Sequence, residues 1–241
     1  MCIVDHNEVQ ASHVVAFSLY GSNPRYVKGG LANILAYREW FPEFTCRFYV
    51  SADIDRGVIR ELRDHGSEVF VMSGRGVDAR FMFWRFLAAD DPRKDRFLIR
   101  DIDSAASPRE RRMYEQWIKS GRTYNVIRDH YSHAMRVMGG MWGGRCRPGF
   151  MAALLPRMWR YSNHYNRDQK FLAREVYPRI RDDVLVQDIV HRFPDEQVAL
   201  QPVDEVDYGF IGEIATDLAE RAVWRQGLRK LHEAAKSRLS T

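Results

Sequence analysis

Short apolar runs alternate with helix-patterned segments through the first half of the chain. This alternation limits the fold more than any other feature. "SHVVAFSLYG", "TCRFYVS", "SEVFVMSG", "RFLIRD" and "TYNVIRD" have strand character. Between them "GGLANILAYREWF", "DRGVIRELRDHG", "DARFMFWRFLAAD" and "SPRERRMYEQWIKSG" show helical apolar spacing. Such alternation through about residue 128 predicts an α/β fold, with a mostly parallel central sheet flanked by helices on both faces. Parallel strands are buried on both sides, and Phe97-Leu98-Ile99 is apolar throughout, as that requires. The helix after "RFLIRD" carries its own boundary signals. Ser107 caps it, Pro108 suits its first turn, Glu110 completes a capping box, and Gly121 ends it.

The second half is less regular. A glycine-rich turn, "MGGMWGGR", precedes "PGFMAALLPRMW", the helix-like "NRDQKFLAREVYPRI", the strand-like "DDVLVQD" and a basic helix from about Glu213. We expect one domain over residues 1–241, with halves at about 12–128 and 129–212 and a terminal helix over 213–241. The N-terminus is too acidic and too short of apolar residues for a signal peptide. No apolar run approaches the roughly 20 residues of a membrane span. Cys2, Cys46 and Cys146 are too scattered for a disulfide framework or a zinc cluster, which suits a reducing, cytoplasmic compartment. The net charge of +5 is dispersed along the chain. Dispersal favours a phosphate-handling enzyme over a nucleic-acid binder.

Two stretches place aspartates one residue apart. In "SADIDRGVIREL", Asp53 and Asp55 directly precede a helix, and capping accounts for them. Asp101 and Asp103 in "FLIRDIDSAASPRERR" are different. The next helix already has Ser107, and the acids stand at the end of a central apolar strand, where ligands of open α/β sheets bind. Two carboxylates there are costly unless a cation neutralises them, and a hard divalent ion shared with phosphate oxygens would do so. The plain alternative is a solvated turn with two incidental acids.

The segment resembles the Asp-x-Asp signature of GT-A glycosyltransferases. More of the chain resembles a group of short bacterial and viral sugar transferases. The pieces run in order: "FSLYG" with "YVKGGLANILAYREWFP", "ARFMFWRFLAADD", "FLIRDIDS", "VIRDHYSHAMRVMGGMWGGR", "DQKFLAREVYP" and "DYGFIGE", over about residues 16–213. The resemblance implies a GT-A, Rossmann-like sheet whose first half binds a nucleotide-diphosphate sugar and whose second half meets a glycan or glycoconjugate acceptor. It implies Mn2+ or Mg2+ on the diphosphate, with Asp103 coordinating and Asp101 either coordinating too or touching the ribose or a bound water. Some relatives have His-Asp where this chain has Gln187-Asp188, so the third ligand is open: Asp188 first, His191 second.

Further roles follow from the same resemblance. Tyr20 and Tyr26 stack on the base, or belong to an ordinary loop. Arg80 and Arg85 lie on a helix near the donor, where Arg85 pairs with the acidic motif or a phosphate, or both are solvated, with Phe81, Trp84 and Leu87 as core. Asp129 and His130 bind donor hydroxyls or act in acid–base chemistry, unless structural. The four glycines around Trp142, Gly140 among them, allow close backbone approach and Trp142 offers a ring face to the sugar, or the run is a tight turn with Trp142 in the core. Asp168 opens a helix, which is ordinary capping, and is the candidate general base of an inverting transfer. The terminal helix places Val223, Leu228, Leu231 and Leu239 among basic residues, for packing or for a peripheral membrane contact. Two rival functions stand beside this one. A haloacid-dehalogenase-like phosphatase would use Asp101 as nucleophile with Asp103, although that family uses an early strand. A nucleic-acid-binding module is compatible with the charge, but no helix-turn-helix, zinc or RNP pattern is present.

Overall fold

The computed structural model describes residues 2–161 and 166–239, the last two by backbone alone. Its centre is a nine-stranded sheet in the order β1-β4-β3-β2-β5-β7-β6-β8-β9. The strands are β1 (Ile3–His6), β2 (His13–Leu19), β3 (Phe44–Ser51), β4 (Glu68–Met72), β5 (Arg96–Arg100), β6 (Tyr124–Arg128), β7 (Met141–Arg145), β8 (Val184–Asp188) and β9 (Val198–Leu200). The helices are α1 (Pro24–Trp40), α2 (Arg56–Asp64), α3 (Pro108–Ser120), α4 (Arg167–Phe171), α5 (Tyr177–Ile180) and α6 (Leu218–Leu239). Pairing is parallel for β2/β3, β3/β4, β2/β5, β6/β8 and β8/β9. It is antiparallel where β1 joins β4 and where β7 lies between β5 and β6.

Alternate residues of β2 go to opposite faces, as a strand requires. Val14 and Ala16 join one apolar cluster with Phe86, Phe97 and Trp142. Val15, Phe17 and Leu19 join the other with Tyr37, Phe48 and Trp117. Both faces of the sheet are therefore covered, and the strands read as continuous apolar runs.

Several local expectations change. "DARFMFWRFLAAD" is a 3₁₀ helix (Ala79–Asp90), not an α-helix. The glycine-rich "turn" is mostly β7, and its glycines serve the sheet: a Cβ on Gly143 would stand 2.6 Å from the Phe97 carbonyl oxygen. "LAREV" widens to π geometry between α4 and α5. Ser107 caps α3 by accepting from the Glu110 N–H at 3.2 Å, and Gly121 ends it in the left-handed region. The Glu110 carboxylate does not return to Ser107. It is buried, accepting from Arg100 Nε at 2.7 Å and Tyr37 Oη at 3.0 Å. Asp55 caps α2 through Gly57 and Val58, and Asp53 accepts from the Gly76 N–H, so that pair is structural. In α6 only Leu228 of the expected apolar stripe is buried; Val223 and Leu231 are exposed, and the Leu239 side chain lies outside the description. Among the described residues no helix is long and apolar enough to cross a membrane.

Candidate functional site

The order of strands reverses between β2 and β5. β3 and β4 follow outward on one side of β2, and β5 lies on the other. Loops leaving the carboxyl ends of β2 and β5 therefore part and leave a crevice. Ser18 and Tyr20 come to it from β2 and its loop, Tyr26 from α1, and Asp101, Ile102 and Asp103 from the end of β5. Because β7 runs antiparallel, its start lies at this same edge and brings Gly139. Met82 and Arg85 come from the 3₁₀ helix; Asn166, Asp168 and Gln169 come from the start of α4. The cleft holds about 260 Å³, near the lower end of ligand sites.

Two arginines neutralise its acids. Arg85, buried, donates through Nη1 to Asp101 Oδ1 at 2.5 Å and through Nη2 to Asp168 Oδ2 at 3.1 Å. Its Nη1 also reaches the Arg100 carbonyl at 3.0 Å, which fixes the fork against the end of β5. Arg25 donates through Nη2 to Asp103 Oδ2 at 2.8 Å. The cation demanded by two acids at a strand end is thus met within the chain. Each motif carboxylate gives one oxygen to an arginine, leaving the other outside these pairs. The Asp101 side chain is 50% exposed and that of Asp103 21%.

Burial, and next the charge of Asp101, raises the Asp168 carboxyl above its ordinary range, with Arg85 acting against both. The same two causes raise Asp103, and Arg25 opposes them. Burial pushes the Tyr20 phenol up to about 12.

Backbone packing holds the motif in place. Asn33 Nδ2 donates to the Ile102 carbonyl at 2.9 Å, and Gly29 lets α1 press on that carbonyl, where a Cβ would come within 2.2 Å. A Cβ on Gly140 would meet Asp101 Oδ2 at 2.3 Å, and one on Gly139 would meet Asp168 Oδ2 at 2.2 Å. The Gly139-Gly140 pair is what lets the start of β7 pass beneath both carboxylates.

Other expected site residues lie elsewhere. Trp142 is 0% exposed, with its ring against Phe97 at 5.0 Å and Phe86 at 5.8 Å, so it has no face to offer a sugar. Asp188 is fully buried against Arg128 Nε at 2.6 Å, because the β6/β8 register sets these two residues side by side. It does not join the acidic pair, and His191 instead meets the Glu196 carbonyl at 3.1 Å. Asp129 holds Arg109 through both oxygens, at 2.6 and 2.5 Å, and accepts from the Ile211 N–H at 2.8 Å. His130 is buried beside Phe210 and Trp224, and burial together with Arg192 lowers it to about 4. It is therefore uncharged near neutral pH. Neither Asp129 nor His130 lines the cleft. Arg80 pairs with Asp78 and lies over the Trp159 ring at 4.7 Å, outside the cleft.

Sequence reasoning missed Arg25, Asn166 and Gln169, whereas Gly139 lies in the glycine run read as allowing close backbone approach. Arg25 had a signal: it is a cation in the first turn of a helix, where the positive end of the dipole disfavours it. Asn166 had none, since its left-handed backbone (φ 68°) shows only in three dimensions.

Among the described residues no three His, Cys, Asp or Glu side chains form a preformed metal cage. The donor set that is present fits an ion held partly by its ligand. Two carboxylates with an oxygen each to give suit a hard dication that takes its remaining oxygens from phosphate and water.

No family model matches the chain, and none of the curated proteins does. Solved structures do share features of its course. The 4-diphosphocytidyl-2C-methyl-D-erythritol synthase of Anaerococcus prevotii has 11% identity over 91% of this chain and 99% of its own, with a TM-score of 0.49. S. aureus TarS has 12% identity over 78% and 60%, with a TM-score of 0.48. A mannosyltransferase of Pyrobaculum calidifontis, in complex with GDP-Man and Mn2+, has 11% identity over 84% and 62%, with a TM-score of 0.47. The chain thus spans about three fifths of the last two. A likeness of this degree identifies no activity, and the site's own geometry carries the functional reading.

Proposed function

We propose that the chain is a metal-dependent glycosyltransferase of the GT-A kind, which moves a sugar from a nucleotide-diphosphate sugar to a glycan or glycoconjugate acceptor. One observation carries the reading. Asp101 and Asp103 stand together at the carboxyl end of β5, in the crevice where the strand order reverses, with a buried third carboxylate, Asp168, joined to Asp101 through Arg85.

Asp101 and Asp103 would hold Mn2+ or Mg2+, Asp101 through the oxygen not given to Arg85. When bound, the ion supplies compensation for charge gathering on the departing diphosphate. Tyr20 and Tyr26 also line the cleft and would stack on the nucleotide base. Arg85 sets Asp101 and Asp168 at a fixed separation, so donor and acceptor groups meet in one geometry. Asp168 accepts the proton of the acceptor hydroxyl as it attacks the sugar carbon. Its raised basicity, which burial provides, suits that role.

Thermal shift across a panel of nucleotide sugars, with and without Mn2+, tests this. Neither the ion nor the nucleotide alone has a full site, so each should move Tm little, and one correct pair should move it by several degrees. A flat panel ends the proposal. Release of phosphate from a generic phosphoester, with no nucleotide sugar present, would favour the phosphatase reading instead.

A further inference from the structure

Arg25 spans two acids that belong to different parts of the chain. Its backbone N–H donates to the Asn23 cap of α1 at 3.0 Å. Its guanidinium donates through Nη2 to Asp103 at 2.8 Å and through Nη1 to Glu220 Oε2 at 3.0 Å. Asp103 is half of the acidic motif, and Glu220 lies in the first turn of α6. The segment leading into α6 is bound to the same motif by backbone. The Ala215 N–H donates to the Asp103 carbonyl at 2.8 Å, and Ser104 forms a bridge with Ile214. Arg221 then closes on the carbonyls of Ile214 and Ala215, at 2.9 and 2.5 Å. A single arginine is shared by the motif and the C-terminal helix.

We infer that Arg25 is the resident counter-ion of Asp103 and that a dication–diphosphate displaces it, the guanidinium passing to the incoming phosphate oxygens while Glu220 retains its other side. The inference rests on the donor-site reading above. Asp103 is largely buried, and a carboxylate so placed requires a cation. A dication and a guanidinium on one carboxylate repel each other at short range, so each weakens the other's hold on it. A guanidinium released beside a diphosphate finds a strong acceptor, because its planar fork matches phosphate oxygens. Arg25 therefore opposes the ion that arrives alone and favours the ion that arrives with a diphosphate. That difference of sign separates a counter-ion from a merely structural arginine.

The test uses the full chain with Arg25→Gln and Glu220→Gln, each checked for a cooperative melt. Mn2+ alone is titrated by electron paramagnetic resonance of the free ion, and Mn2+ with UDP or GDP by calorimetry. Arg25→Gln should bind Mn2+ alone about tenfold more tightly and the Mn2+–nucleotide pair about tenfold more weakly, each near 1.4 kcal/mol. Glu220→Gln leaves the guanidinium wholly to Asp103 and should weaken binding of Mn2+ alone. The inference is overturned if Arg25→Gln shifts both affinities the same way or neither. If that variant does not fold, an unchanged Mn2+ affinity in Glu220→Gln overturns it. Wild-type protein that binds no Mn2+–nucleotide pair overturns the donor-site reading too, and this result is independent of the variants.

Discussion

Gly140 leaves no room for a methyl group. An added Cβ would press on the carboxylate and the backbone nitrogen of Asp101, at 2.3 and 2.6 Å, and neither is the free end of a long side chain. Gly140→Ala should therefore cost about 1–3 kcal/mol of stability. It should also abolish the thermal shift given by Mn2+ with the matching nucleotide sugar, since the motif itself is displaced. Chemical unfolding and the same melt measure both effects. Asp168 makes a second residue-scale case. Its carboxyl is raised by burial and by Asp101, so the base form is lost as pH falls through a value above the ordinary 3.8. The acid limb of kcat/KM should accordingly lie above the usual carboxylate range. Asp168→Asn should remove turnover by a hundredfold or more while donor affinity, by calorimetry, stays within about threefold. Near-normal turnover in that variant would exclude Asp168 as the base.

At the amino ends of the strands, away from the cleft, a buried ionic network ties elements together. Arg47 of β3 pairs with Glu68 of β4 and with Asp91, both at 2.6 Å, and Lys94 joins Glu68 at 2.9 Å. Burial alone would raise the Asp91 carboxyl, but Arg93 and Arg47 override it and hold it well below 3.8. A depressed carboxyl stabilises the fold above its unfolded value, and that contribution is lost as pH falls below 3.8. Asp91→Asn should thus cost about 3 kcal/mol at neutral pH, because a buried charge loses a partner, and the variant should lose less further stability on acidification. Denaturant melts at several pH values would show it, and parallel pH curves for the two proteins would refute it. Alternation, apolar periodicity and caps made these elements readable in the chain, and α3 starts and stops where Ser107 and Gly121 place it. β1 and β9 were not readable. They are edge strands of 4 and 3 residues, too short for a pattern. The 3₁₀ helix read as α because the two share their apolar spacing over one or two turns.

Over the whole molecule, the segment leading into α6, from Ile211 to Ala215, is a strap that joins parts the sequence keeps far apart. Asp129 holds Arg109 of α3 on one side and the Ile211 N–H of the strap on the other, and the strap then reaches Ser104 and Asp103. Asp129 lines no part of the cleft, so Asp129→Asn should act on binding only through the strap. We expect about 3 kcal/mol of lost stability and several-fold weaker binding of the Mn2+–nucleotide pair. Unchanged affinity in a folded Asp129→Asn protein would separate strap from site. The primary structure alone determined the α/β class, the parallel strands and the presence of Asp101 and Asp103 at a strand end, since these follow from periods of two and 3.6 residues and from local caps. Only the tertiary structure decided which charges meet. Arg25 reaches Asp103 from α1, Arg85 takes the acidic motif where the sequence had left a phosphate equally open, Asp188 falls to Arg128 through sheet register, and Trp142 is enclosed because β7 enters between β5 and β6. Such pairings depend on strand order and register, which neighbouring residues do not encode.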